Sequence, residues 1–181
     1  MLKVSIRSRC FYATGWQMVP ENKMDEVQGL DEVQGLDELQ GLVYAHRFTR
    51  NGARTNLGGP TKTYGGRPFL LVGHFSNTVK SGRMLDLVQE MLPNAGVIEL
   101  CLNRNVTCQP HRDRGNSSDS LILFFGDFQG GALCLEDGRR YEAKNVWHGP
   151  FDGKRLTHWK EPHEGTKYAV VAYSRAPRSP P

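Results

Sequence analysis

His111 and Asp113 lie two residues apart in the run from Pro110 to Asn116. On an extended strand, residues i and i+2 point to the same face. An imidazole and a carboxylate would then aim at one point in space. His158 follows 45 residues after Asp113, past several strand-like runs. Two imidazoles and one carboxylate form the facial donor set that holds Fe(II) and leaves coordination positions open. A further cation, Lys167, comes nine residues after His158 and opens the apolar run Tyr168 to Tyr173. One buried cation at a pocket floor can pair with the far carboxylate of a dicarboxylate ligand.

These residues need strands to carry them, and the C-terminal half of the chain supplies strand signals. From Val97 onward, short apolar runs alternate with Gly, Asn and Asp, the mark of successive strands and turns. The expected strands are Val97–Asn103, Thr107–Asp113, Ser120–Phe125, Ala132–Leu135, Arg139–Glu142, Val146–Phe151, Leu156–His158 and Tyr168–Ser174. The segment from Asp127 to Leu133, with Gly130 and Gly131, reads as a tight turn after the third of them. Upstream, Phe69–Val72 reads as a strand, and Ser81 could cap a helix running to Leu92 before Pro93 and Gly96 stop it. Met84, Leu85, Val88, Met91 and Leu92 would share its apolar face. The expected fold class is mainly β (α+β). Its core is a double-stranded β-helix, a jelly-roll or cupin-like barrel, with flanking helices.

The chain has 181 residues, enough for one domain with a real core. Its longest apolar runs, such as Leu121–Phe125, are strand-sized, so no membrane span is expected. Cys10, Cys101, Cys108 and Cys134 form no CxxC pair. They read as reduced structural thiols in a reducing compartment, which also suits Fe(II). The expected location is intracellular, the nucleus included. Residues 1–20 carry Lys3, Arg7 and Arg9 and no acid, so organellar targeting stays open. A monomer is the default.

Charge divides the N-terminal half. Residues 21–42 hold seven acids against Lys23, a balance of −6; residues 43–85 hold seven basic residues and no acid, a balance of +7. An acid-free basic segment suits a polyanion such as nucleic acid. Residues 25–42 are three hexapeptide copies, Asp-Glu-Val-Gln-Gly-Leu twice and Asp-Glu-Leu-Gln-Gly-Leu once. A period of three drifts around a 3.6-residue helix, and a Gly in each copy weakens it. The repeat therefore reads as a mobile acidic insert or a frayed helix. The expected organisation is an N-terminal arm (1–24), the acidic insert (25–42) and a basic N-terminal part of the catalytic domain (43–96). The barrel core (97–175) and a Pro-rich tail (176–181) follow.

From about Val97 to Arg175, less than half of the chain, the sequence resembles the Fe(II)/2-oxoglutarate-dependent dioxygenases. The resemblance rests on the ordered set of HxD pair, Gly130-Gly131, distal His158 and a cation before a final strand. It implies that His111, Asp113 and His158 bind Fe(II) and act in catalysis, and that Lys167 binds the distal carboxylate of 2-oxoglutarate. The family reaction consumes O2, turns 2-oxoglutarate into succinate and CO2, and hydroxylates a C–H bond. Asn103 resembles the polar residue that some relatives place near 2-oxoglutarate.

Within the superfamily the sequence looks most like the TET/JBP group, which oxidises the methyl of methylcytosine or thymine in nucleic acid. The group's HxDxxN pattern is met by His111, Asp113 and Asn116, and its final-strand aromatic by Tyr173. The resemblance implies substrate contacts from Asn116, Tyr173 and Arg175, with methylated DNA favoured over RNA as partner. An amide reading a base edge and an aromatic stacking on the base fit a flipped-base pocket. Lys167 departs from the group, which usually has Arg there; Lys is familiar in that role from peptidyl-prolyl hydroxylases. Residues 1–96 match no family pattern. Two other readings follow: a protein side-chain hydroxylase of prolyl type, and a non-catalytic jelly-roll module that binds a polyanion.

Overall fold

The computed structural model describes residues 35–49, 63–64, 67–68, 75–113, 115–117 and 119–174. Helix α1 covers residues 35–45. Strands β1 (Thr63–Tyr64), β2 (Arg67–Pro68) and β3 (Phe75–Val79) precede helix α2 (Arg83–Met91). Then come β4 (Glu99–Arg104), β5 (Cys108–His111), β6 (Ser120–Gly130) and β7 (Leu133–Leu135). The chain closes with β8 (Arg140–Tyr141), β9 (Trp147–Phe151), β10 (His158–Lys160) and β11 (His163–Tyr173).

Two antiparallel sheets build the body, in the orders β5-β10-β7-β8 and β3-β4-β11-β6-β9; β1 and β2 pair separately. This is the mostly-β, jelly-roll architecture expected from the strand signals. Between the two sheets lie Ile122, Phe124, Phe128 and Ala169 from one side and Leu133 and Leu135 from the other, with Phe151. The outer face of the five-stranded sheet is covered by the helices. Leu39 and Val43 of α1 and Leu85, Leu87 and Val88 of α2 pack with Leu100, Leu102, Leu123, Phe125, Val170 and Ala172. Alternation along β6 and β11 thus sends one set of side chains to the helices and the other into the barrel.

Several elements differ from expectation. β6 continues through the Gly-rich segment to Gly130, because β11 begins at His163 and pairs with it along its whole length, from His163 opposite Gly130 to Ala172 opposite Leu121. Glycine permits this close pairing. At Gly126 φ is +110°, and a Cβ there would lie 2.5 Å from the Thr166 carbonyl oxygen. Helix α2 starts after Gly82, not Ser81, with no side-chain cap. The Phe69–Val72 strand and the arm of residues 1–24 lie outside the described residues, as do residues 25–34 of the repeat.

The last repeat copy is the larger surprise. The period-three pattern offers no steady face, yet residues 35–45 are helical and Leu39 and Val43 are fully buried. Leu36, Leu39 and Val43 restore helical spacing, because Val43 follows the repeat and shifts its phase. Packing against the sheet outweighs the weak propensity of Gly35 and Gly41. Arg83 of α2 reinforces the contact, donating to both Glu38 carboxylate oxygens at 2.8 Å. Leu39→Ala is expected to cost about 2–5 kcal/mol of stability, and exposed Asp37→Ala less than about 0.5 kcal/mol. Denaturant melts of the two variants measure the difference.

Candidate metal centre

β10 lies between β5 and β7, and its register sets His158 directly opposite His111 and Leu135. The two imidazole centroids are 4.4 Å apart. Asp113 lies just past the end of β5, where its backbone N–H donates to the Gly153 carbonyl at 2.7 Å. That bond hangs the carboxylate beside the histidine pair. Asp113 Oδ1 is 3.7 Å from His111 Nε2 and its Oδ2 is 3.6 Å from His158 Nε2. One donor atom from each of the three residues falls within 4.8 Å of the others.

The chemistry of the donors fits a metal. Each histidine's Nδ1 faces a carbonyl, that of Gln109 for His111 at 2.7 Å and that of Leu156 for His158 at 3.0 Å. A carbonyl only accepts, so Nδ1 carries the proton and Nε2 offers its lone pair toward Asp113. Burial opposes protonation of His111, but a hydrogen bond to Cys108, the charge there and the Gln109 carbonyl together raise its pKa above the ordinary value. A ring edge of Phe151 packs on His158, centroids 5.6 Å apart. A side chain on Gly153 would intrude: a Cβ would lie 3.3 Å from Asp113 Oδ2 and 3.4 Å from His158 Cε1. The residues present thus fit a divalent ion such as Fe(II), held by three ligands with the remaining positions open.

Asn116 belongs to this cluster. It is buried, and its amide donates to Asp113 Oδ2 at 3.3 Å and to Ser120 Oγ at 3.1 Å. That arrangement orients the Asp113 carboxylate. Arg112, between the two ligands in sequence, faces outward and donates to Thr157 Oγ1 at 3.1 Å and to Glu136 at 3.3 Å, tying the end of β5 to the approach to β10.

Lys167 enters the barrel from the opposite sheet and is 3% exposed. Its ammonium donates to the Gly131 carbonyl and lies 3.9 Å from the Phe124 ring centroid and 4.8 Å from that of Phe128. Asn105 clamps its backbone, accepting the Lys167 N–H on its side chain and donating its own N–H to the Lys167 carbonyl, both at 2.8 Å. Burial, then repulsion from Lys160, lowers the Lys167 pKa to about 7. Asn103 is buried on β4 opposite Ala169, on the same inward face, and accepts a weak hydrogen bond from Cys101 at 3.7 Å. Tyr173 is buried at the other end of β11, where its hydroxyl donates to Glu99 at 3.1 Å. Arg175 lies outside the described residues.

The structure therefore gathers His111, Asp113, His158 and Asn116 at one end of the barrel and Lys167 deeper inside. Sequence reading missed Gly153, Ser120, Asn105 and Lys160. Of these only Lys160, two residues after His158, carried a legible signal, since that spacing shares a strand face. Of the remaining histidines, His46 packs against Phe48 and His148 stacks on Tyr141. His74 lies outside the described residues. Cys101, Cys108 and Cys134 are buried free cysteines; Cys10 lies outside the described residues. No helix among the described residues is long and apolar enough to cross a membrane.

No protein-family model matches the sequence, and no curated protein matches it. Among solved structures, a prolyl-4-hydroxylase from Pseudomonas putida is similar at 14% identity, covering 71% of this chain and 78% of that one, with a TM-score of 0.37. A likeness at that level carries no weight beside the geometry.

Two outcomes follow. His111→Ala and Asp113→Ala should abolish binding of one Fe(II) or Mn(II) per chain in anaerobic calorimetry, and Asn116→Ala should weaken it about 10- to 100-fold. Lys167 gives a pH signature. Its folded pKa of about 7 lies below the ordinary 10.5. Between these values the unfolded chain holds a proton that folded Lys167 has shed, so this group makes stability rise with pH. Lys167→Met should remove that rise, as read from denaturant midpoints at the two ends of the window.

Proposed function

We propose that this chain is an Fe(II)- and 2-oxoglutarate-dependent dioxygenase that oxidises the methyl group of a methylated nucleobase, 5-methylcytosine or thymine, in nucleic acid. The observation that carries the first part is the convergence of His111, Asp113 and His158 on one point, with Nδ1 of both histidines tied to carbonyls. Lys167, buried deeper in the same barrel, is a suitable partner for the far carboxylate of the oxo acid. When bound, the iron supplies activation of O2 coupled to oxidation of the oxo acid. The balanced reaction is R–CH3 + O2 + 2-oxoglutarate to R–CH2OH + succinate + CO2.

The residues of this chain divide the work. The carbonyls of Gln109 and Leu156 hold the imidazoles in one tautomer, and Asn116 holds the carboxylate. Phe151 and the apolar residues between the sheets exclude water from one side of the site. A cavity of about 300 Å³ lies beside Asn116, lined also by Ser117, Asp119, Asp152, Lys154 and Arg155. Its size suits a base drawn out of a strand, with Lys154 beside it; Arg155 is paired with Asp152 at 3.5 Å. Tyr173 has an inward register on β11 and is taken as a substrate contact at the same end, and methylated DNA is the favoured partner. The basic segment 43–85 adds charge of the same sign. Asn116 could meet a base edge only while it also holds Asp113.

Lys167 in the cation position supports a second reading, hydroxylation of a protein side chain of prolyl type. One experiment separates them. The purified chain is incubated with Fe(II), 2-oxoglutarate and either methylated DNA, methylated RNA or peptide pools. Succinate and oxidised nucleosides are followed by mass spectrometry. Hydroxymethylated nucleosides at the expense of 2-oxoglutarate are expected, and their loss in His158→Ala. Succinate release driven only by peptides would transfer the proposal to the second reading. A complete lack of 2-oxoglutarate turnover under every condition would leave the polyanion-binding module.

A further inference from the structure

Strand β5 holds one residue more than its partner needs. His158 stands opposite His111 and Lys160 opposite Cys108, so two steps along β10 face three along β5. On its other side β10 pairs evenly with β7, with His158, Trp159 and Lys160 opposite Leu135, Cys134 and Leu133. The irregularity therefore belongs to β5 and is a β-bulge at Gln109-Pro110. β5 is the edge of its sheet, where an extra residue disturbs a single ladder. Pro110 suits the place, since proline has no N–H to give to a ladder and is confined in sheets to edges and bulges.

The bulge bears on where His111 points and on what holds it. In an even pleat, residues three apart face opposite sides. Cys108 is nevertheless buried beside His111 and hydrogen-bonds its imidazole. The extra residue reconciles the two. It also releases a carbonyl. Each histidine of the site meets the carbonyl of the residue two before it, Gln109 for His111 and Leu156 for His158. Leu156 lies in the loop that leads into β10, where backbone is free to turn. Gln109 lies inside β5. Strand carbonyls lie in the plane of the sheet and side chains stand perpendicular to it, so an even strand keeps the two apart. At the bulge the ladder is interrupted, and the Gln109 carbonyl reaches His111 Nδ1 at 2.7 Å.

We propose that the Gln109-Pro110 bulge is the positioning device of His111: it aims the Gln109 carbonyl at Nδ1 and so fixes the tautomer that offers Nε2 to a metal. This rests on the metal-site reading above and names the backbone element that prepares one of its ligands. Gln109 and Pro110 are positioning residues, acting only through His111. The extra residue can be taken away without disturbing the donor set. With Pro110 deleted, an even ladder puts Gln109 opposite Trp159 and keeps His111 opposite His158. The three ligand side chains remain, and only the carbonyl support is lost.

The test compares the full-length chain with a variant lacking Pro110 and with Pro110→Ala. Long-range proton–nitrogen NMR of the metal-free chains at alkaline pH reads the His111 tautomer, and calorimetry with Mn(II) reads affinity. Wild type is expected to carry the proton on Nδ1 and to bind the metal. Deletion of Pro110 should give a mixture of tautomers and weaken Mn(II) binding about 10- to 100-fold, with the circular dichroism of wild type. Pro110→Ala keeps the residue count and should retain both properties. An unmixed Nδ1 tautomer with affinity within about twofold of wild type in the folded deletion variant overturns the proposal. So does a wild-type His111 protonated on Nε2, a result that needs no variant and stands even if the deletion unfolds the chain. Loss of both properties in a folded Pro110→Ala does so as well, because the residue count is then not the cause. The NMR arm is independent of the metal. Tautomers that follow the bulge in a chain that binds no Mn(II) would keep the positioning device and remove the iron reading. Mn(II) binding with a tautomer indifferent to the deletion would do the reverse.

Discussion

The pairing of β10 with β5 sets His158 opposite His111, and the rest of the site is arranged around that register. Register in a strand pair changes in whole residues, and a slip of β10 by one would turn His158 to the opposite face, away from His111. The two histidines of the candidate metal site are therefore positioned by the ladder. Asp113 is the exception. It lies past the end of β5, and the Gly153 carbonyl and the Asn116 amide supply what the ladder does not. Gly153 serves twice, since its missing side chain leaves room for the ligands it supports.

The five-stranded sheet separates two environments. Its outer face is an apolar layer closed by α1 and α2. Its inner face carries aromatic and aliphatic residues around Phe124 and Phe128 and the buried Lys167. β11 carries both patterns at once, with Val170 and Ala172 toward the helices and Lys167 and Ala169 inside. Burying an ammonium over two aromatic faces is costly, and the lowered pKa of Lys167 is the visible sign. The helices and the long β6–β11 ladder provide the rigid, well-packed frame that tolerates that cost. Stability in this chain and charge in its interior thus trade against one another along a single strand.

Much of the fold was legible. The runs around Leu100, Leu123, Phe151 and Val170 sit where alternating or apolar strand signals placed them. The errors fall where pairing extends a strand beyond its own propensity. Asp127 to Leu133 look like a turn in isolation, and Asp127 to Gly130 are strand because His163 to Thr166 lie opposite. The repeat erred the other way. A period of three offers no helical face by itself, and Val43 restores one only because a sheet surface is there to receive it.

Residue types and spacing alone pointed to the candidate donor set of His111, Asp113 and His158, to the later cation Lys167 and to the β-rich class. The His111–Asp113 spacing pointed to the right residues, although Asp113 lies past the end of β5 and reaches the site through the Gly153 carbonyl and Asn116, not through the strand pleat. Only the tertiary structure decided how the set is completed. It made Asn116 a support for Asp113, set Gly153 against Asp113 and His158, clamped Lys167 with Asn105 and turned Lys160 inward beside His158. Those relations join segments up to 62 residues apart. Their physical cause is cross-strand register and the contact of two facing sheets, which linear spacing does not encode.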